Sequence, residues 1–125
     1  MGVDHAQQMM HDEIRAKLLL TEDELLAEVG QSLGKGATFT DALKRGRQVA
    51  DNLRRELRTS VCSSTTVIAC YRAAKSDDVA LVAAILDTIA GALHGIPPAT
   101  IAVLLYRTGL TRYCGSGWPP EDSSH

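Results

Sequence analysis

The chain is 125 residues long, with 45% hydrophobic, 22% charged and 4% aromatic residues. These values are typical of a single folded domain and exclude a wholly disordered chain. The formal net charge of −2, from 13 basic and 15 acidic residues, argues against a strongly basic nucleic-acid-binding protein. With so few aromatic residues, aliphatic side chains must build the core, which favours closely packed helices.

The N-terminal region predicts two acidic helices. The first covers about residues 4–20 and ends in three consecutive leucines. Thr21 and Glu24 then match a capping box, in which each side chain bonds the backbone of the other residue. Gly34 and Gly36 are expected to end the second helix in a left-handed conformation.

The middle of the chain predicts a long helix or two shorter ones. Apolar residues recur at steps of three and four from about 41 to 74. The run 60–66 is rich in Ser, Thr and β-branched residues, which weakens helix propensity. A continuous helix and a break near 60–64 both stay open, and a strand at 65–71 is a third alternative that lacks an apparent partner strand.

Basic residues cluster on one side of this middle helix and form a candidate interaction surface. They fall within about a third of the helical circumference and are Lys44, Arg47, Arg54, Arg55 and Arg58. A solvated face is the favoured interpretation, with Asp51 pairing to Arg47 or Arg55 four residues away. A second is contact with the acidic N-terminal helices, within the fold or across a dimer. Nucleic-acid binding is a third, disfavoured because no aromatic residue interleaves for base stacking.

The most apolar part of the chain, 79–106, predicts a helical hairpin of 78–94 and 98–108. Asp77 is a suitable N-cap, and Pro98 suits the first turn of the second helix. A flank of small residues predicts the close approach of another helix, and it consists of Ala80, Ala84, Thr88 and Gly91. We expect this hairpin to be the core of a soluble bundle.

A membrane-inserting hairpin is the alternative interpretation of 79–106. Residues 95–98 divide the stretch into pieces shorter than the ~20 apolar residues that a spanning helix needs. Asp87 in the first piece would cost about 2.5–3.5 kcal/mol on insertion. Together with His94 and Tyr106, Asp87 is instead a candidate buried polar or interface position.

Three cysteines, Cys62, Cys70 and Cys114, are too few and too widely spaced to resemble a disulfide-stapled secreted domain. We therefore expect buried free thiols. The start of the chain is polar and does not resemble a signal peptide. Both observations predict a cytoplasmic compartment, and an excess of Arg over Lys, nine to four, suggests a bacterial gene.

The predicted fold is all-α: a compact bundle of about four to six helices around the apolar C-terminal hairpin. Residues 1–114 are expected to form one domain and 115–125 a flexible tail. No spacing matches a metal site, a cofactor motif or a catalytic constellation. The favoured function is a non-enzymatic interaction or regulatory module that contacts a protein partner of unknown identity. Self-association is an open alternative, nucleic acid is a disfavoured ligand, and membrane insertion is a minority interpretation.

Overall fold

The computed structural model describes residues 5–34, 38–74 and 76–120, and this part of the chain is all-helical, without strands. Its helices are α1 (His5–Leu18), α2 (Glu22–Leu33), α3 (Phe39–Cys62), α4 (Thr65–Ala74), α5 (Asp78–Ile89), α6 (Pro98–Thr108) and α7 (Leu110–Cys114). A 3₁₀ turn, Ala90–Ala92, extends α5. The all-α prediction is confirmed. Seven α-helices replace the expected four to six because the middle region is broken and α7 forms a helix of its own.

The turn between α1 and α2 contains the predicted capping box. The Glu24 backbone N–H donates to the Thr21 hydroxyl at 3.1 Å, and the Thr21 N–H donates to the Glu24 carboxylate at 2.9 Å. These bonds hold the pKa of Glu24 below its ordinary value. The left-handed conformation predicted at Gly34 is wrong, because its φ of −162° is extended. Gly36 lies outside the described residues.

The middle region forms two helices, and the break falls at 63–64. The Ser64 hydroxyl accepts the backbone N–H of Val67 at 3.2 Å, which supplies α4 with an N-terminal partner. The same hydroxyl lies 3.0 Å from the hydroxyl of Thr88 on α5. Ser64 therefore helps to start α4, in addition to lowering the helix propensity of this run. The strand alternative at 65–71 is wrong, because these residues belong to α4.

The α5–α6 hairpin forms the centre of the core, as predicted. Asp77 caps α5 by accepting the N–H of Ala80 at 3.0 Å, and Pro98 occupies the first turn of α6. Leu81, Ile85 and Leu104 are almost fully buried. Helices α1 to α4 pack around the hairpin. Among the described residues, none of the helices combines the length and the apolar character needed to cross a membrane.

Helices α2 and α3 cross at a point where two glycines are required. A Cβ atom added to Gly30 would lie 2.6 Å from the carbonyl carbon of Ala42. One added to Gly46 would lie 2.7 Å from the carbonyl carbon of Leu26. Because backbone atoms are met in both cases, the contact leaves no room for a side chain at either position.

A disulfide between Cys62 and Cys114 joins the end of α3 to the end of α7, with the Cα atoms 5.6 Å apart. The prediction of buried free thiols is therefore wrong for two cysteines, and Cys70 is a free thiol but only half-buried. Spacing along the chain did not indicate the bonded pair, because its two residues are 52 positions apart. The turn at Gly109, with φ of +91°, directs α7 back against α3.

The segment 115–120 packs against the helices, where the sequence predicted part of a flexible tail. The Trp118 indole N–H donates to the carbonyl of Cys62 at 2.9 Å. Its ring meets Tyr71 edge to face, with centroids 4.8 Å apart. Residues 121–125 lie outside the described residues.

Candidate functional site

The basic surface of α3 meets the acidic start of α2 within the fold. Arg47 lies 3.5 Å from Asp23, and Arg54 lies 3.6 Å from Glu22. This is the second of the three interpretations drawn from the sequence. Asp51 also lies on this surface, but it pairs with Arg54 at 2.7 Å and not with Arg47 or Arg55 as expected.

The other three cations of this surface have separate environments. Arg55 donates to the side chain of Asn52, and Arg58 donates to the carbonyl of Cys114 at 3.3 Å. Lys44 is exposed and makes no ion pair with the described residues. The five predicted residues therefore do not form one free cationic patch.

The three candidate polar positions are more exposed than predicted. Asp87 and His94 are both exposed, which contradicts a buried position for either of them, whereas an interface position stays a prediction. Asp87 lies at the open edge between α1, α4 and α5, and His94 lies in the connector after the 3₁₀ turn, beyond the packed part of α5. Tyr106 is half-buried, and burial together with the charges of Asp78 and Asp77 raises its pKa.

Two grooves follow the seam where α1 packs against α5. The first, here called the Cys70 groove, has a volume of about 310 Å³ and is lined by Gln7, Met10, His11, Thr66, Cys70, Ala80, Ala83, Ala84 and Asp87.

The thiol in this groove is poorly suited to catalysis or to metal binding. Burial, and secondarily the charge of Asp77, raises the pKa of the Cys70 thiol. A thiol with a raised pKa is a poor nucleophile and a poor metal ligand. In the described residues, no three His, Cys, Asp or Glu side chains are placed to hold a metal ion.

The second groove, here called the Leu19 groove, lies at the opposite end of this seam and has a volume of about 450 Å³. Its lining consists of Arg15, Leu18, Leu19, Asp78 and Val79. Leu19 is 87% exposed, whereas Leu18 and Val79 are half-buried at the edge of the core. The groove is thus an apolar surface with a cation on its α1 side and a carboxylate on its α5 side.

The three adjacent leucines are a sequence signal for the exposed side chain of the Leu19 groove. In the predicted helix 4–20, consecutive residues would differ by about 100° in direction, so three adjacent leucines could not all face one core. Although α1 ends at Leu18, the three side chains still diverge. Leu18 and Leu20 both pack against the core, and Leu19 between them points outward. The position of Val79 beside it is not readable from the sequence, because it depends on how α5 packs against α1.

Comparisons with protein-family models, with curated proteins and with solved structures found no match to this chain. The function is therefore inferred from the geometry of the chain itself. The Leu19 groove combines a strongly exposed large apolar side chain with an apolar depression and two flanking charges.

Proposed function

We propose that the protein is a non-enzymatic interaction module that binds a protein partner through the Leu19 groove. One observation carries the proposal: Leu19 is 87% exposed next to the apolar side chains of Leu18 and Val79. A single exposed leucine is common on protein surfaces, but a contiguous apolar patch rimmed by charges is typical of binding sites. Such a patch gains free energy when a partner excludes water from it.

The environment of Cys70 gives an enzymatic function less support. A catalytic cysteine needs a lowered pKa, usually from a nearby cation or a helix N-terminus, whereas burial raises the pKa of Cys70. His11 and Asp87 line the same groove, but no hydrogen bond joins either of them to Cys70 in the described structure.

Membrane insertion and nucleic-acid binding also receive less support. Insertion of 79–106 would require the side chains of Leu81 and Leu104 to leave a core in which both are almost fully buried. Nucleic-acid binding would compete with the ion pairs that Arg47 and Arg54 make with α2. These pairs would have to break before the guanidinium groups could contact phosphates.

The cytoplasmic compartment stays a prediction, and the Cys62–Cys114 disulfide favours an oxidising compartment instead. Rapid alkylation of thiols in intact cells, followed by mass spectrometry, distinguishes the two. Modification of Cys70 alone would indicate an oxidising compartment. Modification of all three cysteines would support the cytoplasm.

Photo-crosslinking tests the proposed binding surface. Leu19 is replaced with the photoreactive residue p-benzoylphenylalanine, and Phe39, which is 53% exposed at the start of α3, is replaced in the same way as a matched control. We expect irradiation of cells to give a discrete protein adduct from position 19 and none from position 39. Absence of a protein adduct at position 19, or equal adducts at both positions, would contradict the proposal.

A further inference from the structure

We propose that the Leu19 groove binds a second copy of this chain, in a symmetric dimer held by reciprocal pairs between Arg15 and Asp78. This inference rests on the proposed function, because it names the partner of the same surface. The two charges lie on opposite sides of the groove, one on α1 and the other on α5.

The charges of the groove are complementary to each other. Arg15 belongs to α1 and Asp78 to the first turn of α5, and both line the groove. No ion pair joins them in the described structure, so the groove separates them. Arg15 does contact Asp12 at 3.1 Å, but that pair is more than half exposed, and an arginine has five N–H donors. Arg15 therefore keeps donors for another carboxylate.

Two-fold symmetry turns this arrangement into a self-complementary one. A two-fold axis that lies within the contact plane, passes through the centre of the groove and is perpendicular to the line from Arg15 to Asp78 exchanges the two ends of the groove. This axis places each cation opposite the partner copy's carboxylate, and in a symmetric interface each such contact occurs twice. The same rotation sets Leu19 of each copy against the apolar lining of the other copy's groove, to which Leu18 and Val79 belong. Burial of a side chain as exposed as Leu19 supplies the attraction, and the charges set the orientation.

The size of the groove predicts a weak dimer. A stable interface buries about 800 Å² on each partner, which takes roughly 20–30 residues. Five residues line this groove, so the contact is well below that size. We expect monomers in dilute solution and a dimer with a dissociation constant on the order of 100 µM or weaker.

Charge reversal distinguishes this dimer from any other association. Arg15→Glu alone sets two carboxylates against each other across the interface, and Asp78→Arg alone sets two guanidinium groups against each other. Each purified variant should therefore dimerise at least about tenfold more weakly than the unmodified protein. In an equimolar mixture of the two variants, a heterodimer should form. One of its two reciprocal contacts joins the two introduced charges and the other joins the two original charges, so both contacts are attractive. Sedimentation equilibrium over a concentration series measures all four affinities, and far-UV circular dichroism checks that each variant is folded.

The outcomes separate this inference from the proposed function. Restored association in the mixture supports the symmetric dimer. Monomers at every concentration of the unmodified protein, or equal affinity of the single variants and the mixture, would overturn it. A crosslink from position 19 to a different protein would then leave the proposed function standing, whereas no protein crosslink at all would remove both.

Discussion

The crossing of α2 and α3 predicts a large effect from adding one methyl group. The Gly46→Ala substitution would place a Cβ atom 2.7 Å from the carbonyl carbon of Leu26 and 3.1 Å from the backbone nitrogen of Gly30. Ordinary contacts of a Cβ atom are 3.4–4 Å. Because the three nearest atoms, of which the carbonyl oxygen of Leu26 is the closest, are all backbone, no side chain can rotate away from them. The two helices must therefore separate by on the order of 1 Å.

The expected destabilisation follows from two opposing contributions. Overpacking of a well-packed contact costs about 1–3 kcal/mol, and a gap of about 1 Å weakens the surrounding dispersion contacts by up to about half. Alanine is favoured over glycine in a helix by about 1 kcal/mol. We expect Gly46→Ala to lower the free energy of unfolding by about 2 kcal/mol. This is the upper end of the overpacking cost, about 3 kcal/mol, less the gain of about 1 kcal/mol in helix propensity.

Urea unfolding followed by circular dichroism measures this difference, with Gly91→Ala as the matched control. Gly91 lies in the 3₁₀ turn after α5, and an added Cβ atom there meets nothing within 4 Å. The control should remain within about 0.5 kcal/mol of the unmodified protein. Gly30→Ala should resemble Gly46→Ala, and the double variant should cost less than the sum, because both changes separate the same pair of helices. Equal stability of the Gly46 and Gly91 variants would refute the reasoning.

Three further predictions concern the capping box and two titratable groups. Thr21→Ala should lower the free energy of unfolding by about 1 kcal/mol, and the difference should shrink as the pH falls through the lowered pKa of Glu24, because the Thr21 hydroxyl, which the variant lacks, stabilises the ionised form of that carboxyl. Burial raises the pKa of Tyr113 from 10 to about 12, so the folded state retains this proton where the unfolded state loses it. The contribution of this pKa shift to the free energy of unfolding is complete below pH 10 and declines as the pH rises towards 12. In urea titrations over that interval, Tyr113→Phe should make the free energy of unfolding less dependent on pH. In the unreduced protein, iodoacetamide should modify Cys70 alone, because the other two cysteines are joined by the disulfide. Since the pKa of the Cys70 thiol is raised, this reaction should be slower than that of an unfolded peptide containing the same cysteine. Intact-protein mass spectrometry counts the adducts.

Local signals predicted the helices well because their physical causes are local. The starts of α2, α5 and α6 follow from Thr21, Asp77 and Pro98, whose side chains or missing N–H act within three residues of their own position. The break between α3 and α4 could only be bracketed. Its position depends on the Ser64 hydroxyl, which also contacts Thr88 on a different helix.

Contacts between distant parts of the chain were not predictable in the same way. The small-residue flank on α5 suggested a close helix approach that included Gly91, but that glycine has open space and the tight crossing is at Gly30 and Gly46. The disulfide between Cys62 and Cys114 depends on how α7 returns to α3. The apolar hairpin could be predicted from the concentration of apolar residues in 79–106 and from its helix caps, but the groove beside Leu19 could not, because it depends on how α5 packs against α1.

An NMR dilution series tests most directly whether the Leu19 groove joins two copies of the chain. Backbone amide shifts are followed by ¹H–¹⁵N correlation spectra as the protein is concentrated from the monomeric range. We expect concentration-dependent shifts at the groove residues, namely Arg15, Leu18, Leu19, Asp78 and Val79. The exposed face of α3 around Lys44 should remain unchanged. Shifts confined to that face, or no change at any residue, would contradict the symmetric dimer.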